Sequence, residues 1–207
     1  MANFNLYFTS CALLLAVCWR ASTGIPVPTP LSLSAEKCAL CSTLSKALLQ
    51  NITQLLNNEE LFHGVRCPDQ TVVNNKAETA LTCAPILTQI SSCTAQNISP
   101  FSESKCLEKI MKDLAYYAAV IQSYQLITAT EAALLDPTLE IIQRLLEKCF
   151  LMPAGERESS EENVSQMWGN ESYNNRLEMC KVMKGFHIRT ITINRAMGYI
   201  SSGDHRQ

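Results

Sequence analysis

The cysteines restrict the fold of this 207-residue chain more than any other feature. Ten are present, and two of them lie in an apolar N-terminal stretch, Leu6–Cys18. The other eight are spread along the rest of the chain: Cys38, Cys41, Cys67, Cys83, Cys93, Cys106, Cys149 and Cys180. An even number of cysteines in an exported chain predicts a disulfide framework. Composition alone does not choose among the possible pairings.

The N-terminal stretch predicts export. Leu6–Cys18 carries no charge, is followed by Arg20 and small residues, and is too short to span a bilayer as a helix. We therefore predict a signal peptide over residues 1–24, cut after Gly24, and one domain over residues 25–207. Because no later run is apolar enough for a membrane helix, we expect the mature protein to be secreted and extracellular.

Charge and sequons agree with this compartment. Arg20 is lost with the leader, so the mature chain keeps 16 of the 17 basic residues against 19 acidic ones, a net charge of about −3. That balance argues against nucleic acid or an anionic membrane as the main partner. The Asn-x-Ser/Thr triplets indicate glycosylation sites at Asn51, Asn97, Asn163 and Asn170.

Helical periodicity appears in four segments, at about 34–58, 102–127, 136–151 and 172–201. In the third, Asp136 and Pro137 are typical of an N-cap and a first helical position. The residues predicted to face the core are Leu40, Leu44, Leu48, Ile52, Leu55, Leu107, Ile110, Met111, Leu114, Tyr117, Ile121, Tyr124, Ile141, Ile142, Leu145, Leu146, Cys149, Met179, Val182, Met183, Phe186, Thr190, Ile193, Met197 and Ile200.

The connections between these segments favour one topology. They measure about 40, 10 and 20 residues, long–short–long, and the last, 153–170, is polar enough to predict an exposed loop. Such spacing is typical of an all-α, long-chain four-helix bundle with up-up-down-down topology. The first connection has little periodicity, so we expect disulfides to staple this crossover.

The last helix carries a second, unexpected face. Opposite its core residues lie five side chains that a solvated helix would not need: Ile188, Ile191, Thr192, Arg195 and Tyr199. One interpretation is a β-strand, since residues 188–193 are rich in β-branched side chains. The other is a helix buried on two sides, one in its own core and one against a partner. The helical pattern extends beyond 188–193 in both directions and favours the second.

No catalytic or metal-binding pattern is present. His63, His187 and His205 do not share a ligand spacing, and no glycine-rich phosphate loop occurs. Cys38-x-x-Cys41 could be a redox motif or half of a zinc site, but an oxidising compartment favours disulfide use. We predict no enzyme activity, no cofactor and no metal.

A saposin-like lipid-binding module is the alternative from another class. Such domains are also secreted and helical, and they open with a Cys-x-x-Cys like that at Cys38 and Cys41. They close with a second Cys-x-x-Cys, which this sequence lacks, and the chain is too long for one module and too short for two. The sequence therefore disfavours this alternative.

The segment from Cys180 to Ile200, CKVMKGFHIRTITINRAMGYI, resembles the closing helix of the alpha subunits of the interleukin-12 family. The pattern I-R followed by T-I-x-R-x-M-x-Y, between residues 188 and 199, carries the match. Weaker similarity at residues 41–56, 106–114 and 136–149 extends it to all four helices.

The resemblance implies a heterodimer with a receptor-like β subunit built from immunoglobulin and fibronectin-type domains. It also implies interleukin-12 receptor chains on lymphocytes as targets and interferon-gamma production as the outcome. In the family, the arginine matching Arg195 enters a pocket of the β subunit, with the positions matching Arg189, Thr192 and Tyr199 around it. Ile188 joins this predicted partner surface through its place on the same helix face. A related helical cytokine acting as a single chain is the alternative.

The resemblance also suggests three disulfide pairs: Cys67–Cys180, Cys83–Cys106 and Cys41–Cys93. Between Cys83 and Cys106 this sequence has one cysteine where mammalian relatives have two, one of which bonds the β subunit. The resemblance therefore leaves a covalent link to the β subunit open.

Cys38 and Cys149 remain. Cys38 begins the first helix and Cys149 ends the third, which places both at the same end of an up-up-down-down bundle. We predict a bond between them; the alternative is that one of them replaces the interchain cysteine.

Overall fold

The computed structural model describes residues 34–70, 78–84, 101–150, 164 and 167–203. Regular structure in these ranges is helical throughout, which confirms the all-α prediction. The elements are α1 (Ala35–Leu55), a 3₁₀ turn (Cys67–Asp69), α2 (Glu78–Thr82), α3 (Glu103–Gln125), α4 (Ala129–Leu145), a π-helical turn that continues α4 (Leu146–Phe150), and α5 (Ser172–Ser202). The predicted signal peptide, Cys93, Asn97, Asn163 and His205 lie outside the described residues.

The four long helices form a bundle in which α1 and α3 each pack against both α4 and α5. The α1–α5 pair is antiparallel, because residues advancing along α1 meet residues receding along α5. Ser45 Oγ donates a hydrogen bond to Asn194 Oδ1 at 3.3 Å. About two turns further along α1, Thr53 Oγ1 lies 3.2 Å from His187 Nε2, which is about two turns earlier in α5.

The other helix pairs complete the topology. Cys41 is bonded to Cys149 just after α4, and Asn51 further along α1 contacts Thr138 in the middle of α4, so this pair is also antiparallel. Since α3 turns directly into α4, and α4 and α5 both oppose α1, the two early helices point one way and the two late ones the other. The bundle is up-up-down-down, as the connection lengths predict.

The predicted core faces of α3 and α5 are confirmed, since every residue named for them is buried. Thr190 is polar and fully buried, and its hydroxyl donates to the carbonyl oxygen of His187 at 2.8 Å. In α1 the prediction is wrong for Leu40, which is 41% exposed. Cys41 takes the inward position instead, with no exposed surface.

The predicted start of α4 is wrong. The helix begins at Ala129, about two turns before Pro137, so this proline lies inside it. The ring of an interior proline clashes with the carbonyl of the residue four positions earlier. Because proline has no backbone N–H, that carbonyl also loses its helical hydrogen bond. Here Pro137 and Ala133 are both exposed, so the freed carbonyl faces water. Buried Leu135 and the bond from Tyr124 Oη to Glu131 hold the early turns against α3.

Of the connection before α5, which was predicted to be an exposed loop over residues 153–170, the structure describes only residues 164 and 167–170, and part of this stretch is packed against the bundle. Val164 is buried, and Trp168 packs edge-on against Tyr124 with ring centroids 5.0 Å apart. Trp168 Nε1 also donates to Ser123 Oγ at 2.8 Å. The end of this connection is therefore attached to α3.

Two of the disulfides suggested by the resemblance are present. Cys67–Cys180 joins the crossover after α1 to the first half of α5, and Cys83–Cys106 joins the end of α2 to α3. The first crossover is stapled at two points, as expected for a segment with little periodicity.

The pairing of Cys149 is corrected by the structure. Cys41 bonds Cys149 with α-carbons 5.9 Å apart, so the Cys41–Cys93 and Cys38–Cys149 predictions are wrong. The register of α1 against α4 gives the reason. The contact between Asn51 and Thr138 places Cys149 level with Cys41, and Cys38 lies about 4.5 Å further along the axis. The prediction identified the correct end of the bundle but was one turn off in register.

Joint replacement of Cys41 and Cys149 by serine should lower the free energy of unfolding by about 2–5 kcal/mol, because the bond closes a loop of 108 residues. Urea denaturation of the purified chain measures the loss. A peptide map of the unmodified chain that joins Cys149 to any residue other than Cys41 would contradict this pairing.

Candidate partner-binding surface

The outer face of α5 consists of side chains spaced three and four residues apart on the side away from the core. Ile188 is 51% exposed, Arg195 is exposed, and Thr192 and Tyr199 are half-buried. The helix runs unbroken through residues 188–193, so the β-strand interpretation of this run is wrong. The structure brings four of the five predicted partner-binding residues onto one face.

Two of these residues are held by contacts within the chain. The ring of Tyr199 packs edge-on against Phe101, with ring centroids 5.1 Å apart. The Thr192 hydroxyl donates to the carbonyl oxygen of Ile188 at 3.4 Å. Within the described ranges, no carboxylate forms an ion pair with Arg195. The face therefore presents an apolar side chain, a fixed aromatic ring and an exposed cation.

Arg189, the fifth predicted residue, lies elsewhere. It is only 8% exposed, and its Nε lies 2.9 Å from Asp113 Oδ2 on α3. It also donates a hydrogen bond to the hydroxyl of Tyr117, whose ring stacks on Phe186 at 4.1 Å. The structure thus turns Arg189 toward α3 and away from the outer face.

The ion pair is partly desolvated, since the Arg189 side chain is buried and the Asp113 side chain is half-buried. Burial raises the pKa of Asp113 above its ordinary value, although the Thr79 hydrogen bond and the charges of Arg189 and Lys109 act in the opposite direction. Oδ2 accepts no hydrogen bond within the described part of the chain, so its contact with Arg189 is electrostatic. Burial likewise raises the pKa of Tyr117 to about 12.

A cleft of about 480 Å³ opens beside this pair, between α2, α3 and α5. Its lining combines two tyrosines with charged groups: Glu78, Thr79, Lys109, Lys112, Asp113, Tyr116, Tyr117 and Arg189. The charges pair among themselves, with Lys109 Nζ 2.6 Å from Glu78 Oε1. The sequence did not predict this cleft, because α2 is a single short turn in an aperiodic crossover. The available signal was the position of Asp113 beside the core stripe of α3, four residues before Tyr117.

The described residues offer no metal site, since no group of three or more His, Cys, Asp or Glu side chains could hold an ion there. The described histidines do not come together either. His187 contacts Thr53, and the backbone oxygen of His63 accepts from Arg176 Nε at 2.9 Å. Among the described helices, none is long and apolar enough to cross a membrane.

The two described sequons differ in exposure. Asn170 is exposed. Asn51 is half-buried, and its Oδ1 accepts a hydrogen bond from the buried Thr138 of α4. A glycan on Asn51 would therefore compete with α1–α4 packing.

Comparisons with known proteins agree with the residue pattern of α5. No protein-family model matches the chain. Two curated relatives match along most of its length. Interleukin-12 subunit alpha of Marmota monax is 25% identical over 211 aligned residues, which cover 88% of this chain and 90% of the relative. Interleukin-12 subunit alpha of Felis catus is 24% identical, with 86% and 88% covered.

We expect the chain to carry more glycan at Asn170 than at Asn51, because the Asn51 side chain is engaged with Thr138. Peptide mapping after glycosidase treatment measures the occupancy of each. Equal and complete occupancy at both asparagines would show that the contact does not limit modification.

Asp113→Asn should change how stability depends on pH. The pKa of Asp113 is higher in the folded than in the unfolded state, where it has its ordinary value of 3.8. Its contribution to the free energy of unfolding is therefore lost as the pH rises from 3.8 through the folded pKa. The asparagine variant should lack this decline in the free energy of unfolding.

Glu108→Gln serves as the control, because a hydrogen bond from Lys112 lowers the pKa of Glu108. Its removal should instead abolish a small gain in stability as the pH rises. Urea denaturation of both variants between about pH 3 and 7 measures these slopes. Parallel slopes for Asp113→Asn and the unmodified chain would contradict a raised pKa at Asp113.

Proposed function

We propose that this chain, a distant relative of the interleukin-12 alpha subunits, is a secreted cytokine subunit that pairs with a receptor-like β subunit through the outer face of α5. The observation that carries the proposal is the exposure of Ile188 and Arg195 directly opposite the core side of α5. Both relatives are named as subunits, which supports association with a second chain.

The chemistry of this face suits a protein partner. Arginine and tyrosine are enriched among the residues that dominate binding energies at interfaces, and Arg195 and Tyr199 lie one turn apart here. Ile188 adds apolar surface that favours burial. A pocket on the β subunit that holds Arg195 would need acceptor groups and would exclude water from the guanidinium.

The heterodimer would act by binding, without a cofactor. Following the family, we expect it to engage interleukin-12 receptor chains on lymphocytes and to drive interferon-gamma production. The cytokine relatives support a non-enzymatic role. The sequence features that support secretion are the predicted leader over residues 1–24 and the sequons.

The association would not use Cys149 or Cys38 as a link to the β subunit. Cys149 is bonded to Cys41 and is 1% exposed. Cys38 is 4% exposed and belongs to the core. The sulfur atom of either residue could therefore reach a partner chain only if the helices of the bundle separated.

Arg195→Ala should reduce binding to the β subunit about 30-fold or more, equivalent to about 2 kcal/mol, because truncation leaves the partner's acceptors without a donor. Arg144→Ala is the matched control, since Arg144 is also exposed on a helix of the bundle but belongs to α4. Co-expression with the β subunit, followed by capture from the medium and a non-reducing gel, measures heterodimer yield.

Undiminished heterodimer secretion from Arg195→Ala would contradict this surface. If the chain secreted alone proved active on lymphocytes, the single-chain alternative would replace the heterodimer. In both variants, unchanged circular dichroism of the isolated chain shows that the bundle is intact.

A further inference from the structure

We propose that Arg189 is a positioning residue: through Asp113 it fixes the rotation of α5, and thereby the outward direction of Ile188 and Arg195, without itself contacting the partner. This inference rests on the proposed function and deepens it. It also reverses the role that the family resemblance implies for Arg189, as one of the residues around the β-subunit pocket.

The burial of Arg189 is the first argument. At 8% exposure, most of its surface is already covered by its own chain, whereas the adjacent Ile188 is 51% exposed. Its Nε lies 2.9 Å from Asp113 Oδ2, and a further hydrogen bond goes to Tyr117. These contacts and its burial leave the guanidinium little surface with which to contact a partner.

The direction of these contacts is the second argument. Asp113 and Tyr117 lie one turn apart on α3, and both hold a single side chain of α5. Asp113 is held in turn by a hydrogen bond from Thr79 of α2, a residue that is 3% exposed. Three helices therefore contribute to this ion pair: α5 through Arg189, α3 through Asp113, and α2 through Thr79, which contacts Asp113.

The geometry of α5 is the third argument. Residue 189 lies about 100° around the helix axis from residue 188, so Arg189 points sideways to α3 while Ile188 points outward. An alternative rotation of α5 would carry Ile188, Thr192 and Arg195 away from the partner together. It would also remove the Arg189 charge from beside the partly desolvated Asp113 carboxylate, which is unfavourable. The ion pair thus disfavours other rotations of the binding face.

The experiment separates positioning from contact with a double-mutant cycle. We would measure the dissociation constant for the immobilised interleukin-12 β subunit of the same organism. The variants are Asp113→Asn, Arg189→Gln and the double variant. Glu108→Gln is the matched control, because it makes a carboxylate-to-amide change on an exposed part of α3. Thermal unfolding and amide exchange of the isolated chains are recorded in parallel.

If Arg189 acts through Asp113, Asp113→Asn should weaken binding about tenfold, and adding Arg189→Gln should change it by less than about threefold more. The Glu108→Gln control should stay within about twofold. The exchanged pair, Asp113→Arg with Arg189→Asp, should recover at least part of the lost affinity. If the melting temperatures of all the variants stay unchanged, the loss and recovery of affinity cannot be attributed to a less stable fold. A direct contact between the partner and the Arg189 guanidinium could not be restored by an aspartate at position 189.

Two results would overturn the inference. One is full affinity in Asp113→Asn together with a large loss in Arg189→Gln, which would assign Arg189 to direct contact. The other is additive losses in the cycle. If the exchanged pair fails to fold, Arg189→Lys replaces it, and it should bind more tightly than Arg189→Gln because it keeps the charge facing Asp113.

The binding of Arg195→Ala tests the proposed function, whereas the double-mutant cycle tests only the role of Arg189. If that variant binds normally, the proposed surface is wrong and the proposed function fails, whatever the cycle shows. If Arg195→Ala abolishes binding and the cycle is additive, only the inference about Arg189 fails.

Discussion

The rotation of α5 about its own axis is the constraint on which the rest of the molecule depends. This helix must fill the core with one side and present Ile188 and Arg195 on the other, and a rotation of one residue would spoil both. The core stripe sets the rotation approximately, because burying large side chains such as Phe186 is favourable over a range of angles. The hydrogen bonds at its flanks, between Asn194 and Ser45 of α1 and between Arg189 and Tyr117 of α3, are directional and favour one angle within this range.

Helical periodicity is a local property, so the sequence could predict what depends on it. The buried sides of α3 and α5 follow from spacings of three and four residues, and the outer face of α5 follows from the same count. The topology followed from connection lengths, because short links join antiparallel neighbours and long ones allow a parallel pair. These features needed no knowledge of which residue on one helix lies opposite which on another.

Register between helices is what the sequence could not predict. Cys38 and Cys41 both point inward at one end of the bundle, and only the offset of α1 against α4 decides which of them reaches Cys149. Arg189 raises the same difficulty. The family resemblance placed it in the partner surface, and a helical wheel cannot show that Asp113 lies opposite it on the neighbouring helix. The start of α4 failed for another reason. The capping rule at Pro137 was outweighed by packing of the preceding turns, whose freed carbonyl faces water.

The disulfides act where periodicity has no influence. Cys67–Cys180 and Cys83–Cys106 hold the first crossover, and the second keeps α2 beside α3, where Thr79 reaches Asp113. A helix as short as α2 is not stable alone in water, so its position depends on this bond and on the ion pair between Glu78 and Lys109. Through Thr79, Asp113 and Arg189, a covalent staple in the crossover is connected to the orientation of α5. Formation of the Cys83–Cys106 bond therefore supports the orientation of the outer face of α5 as well as stability.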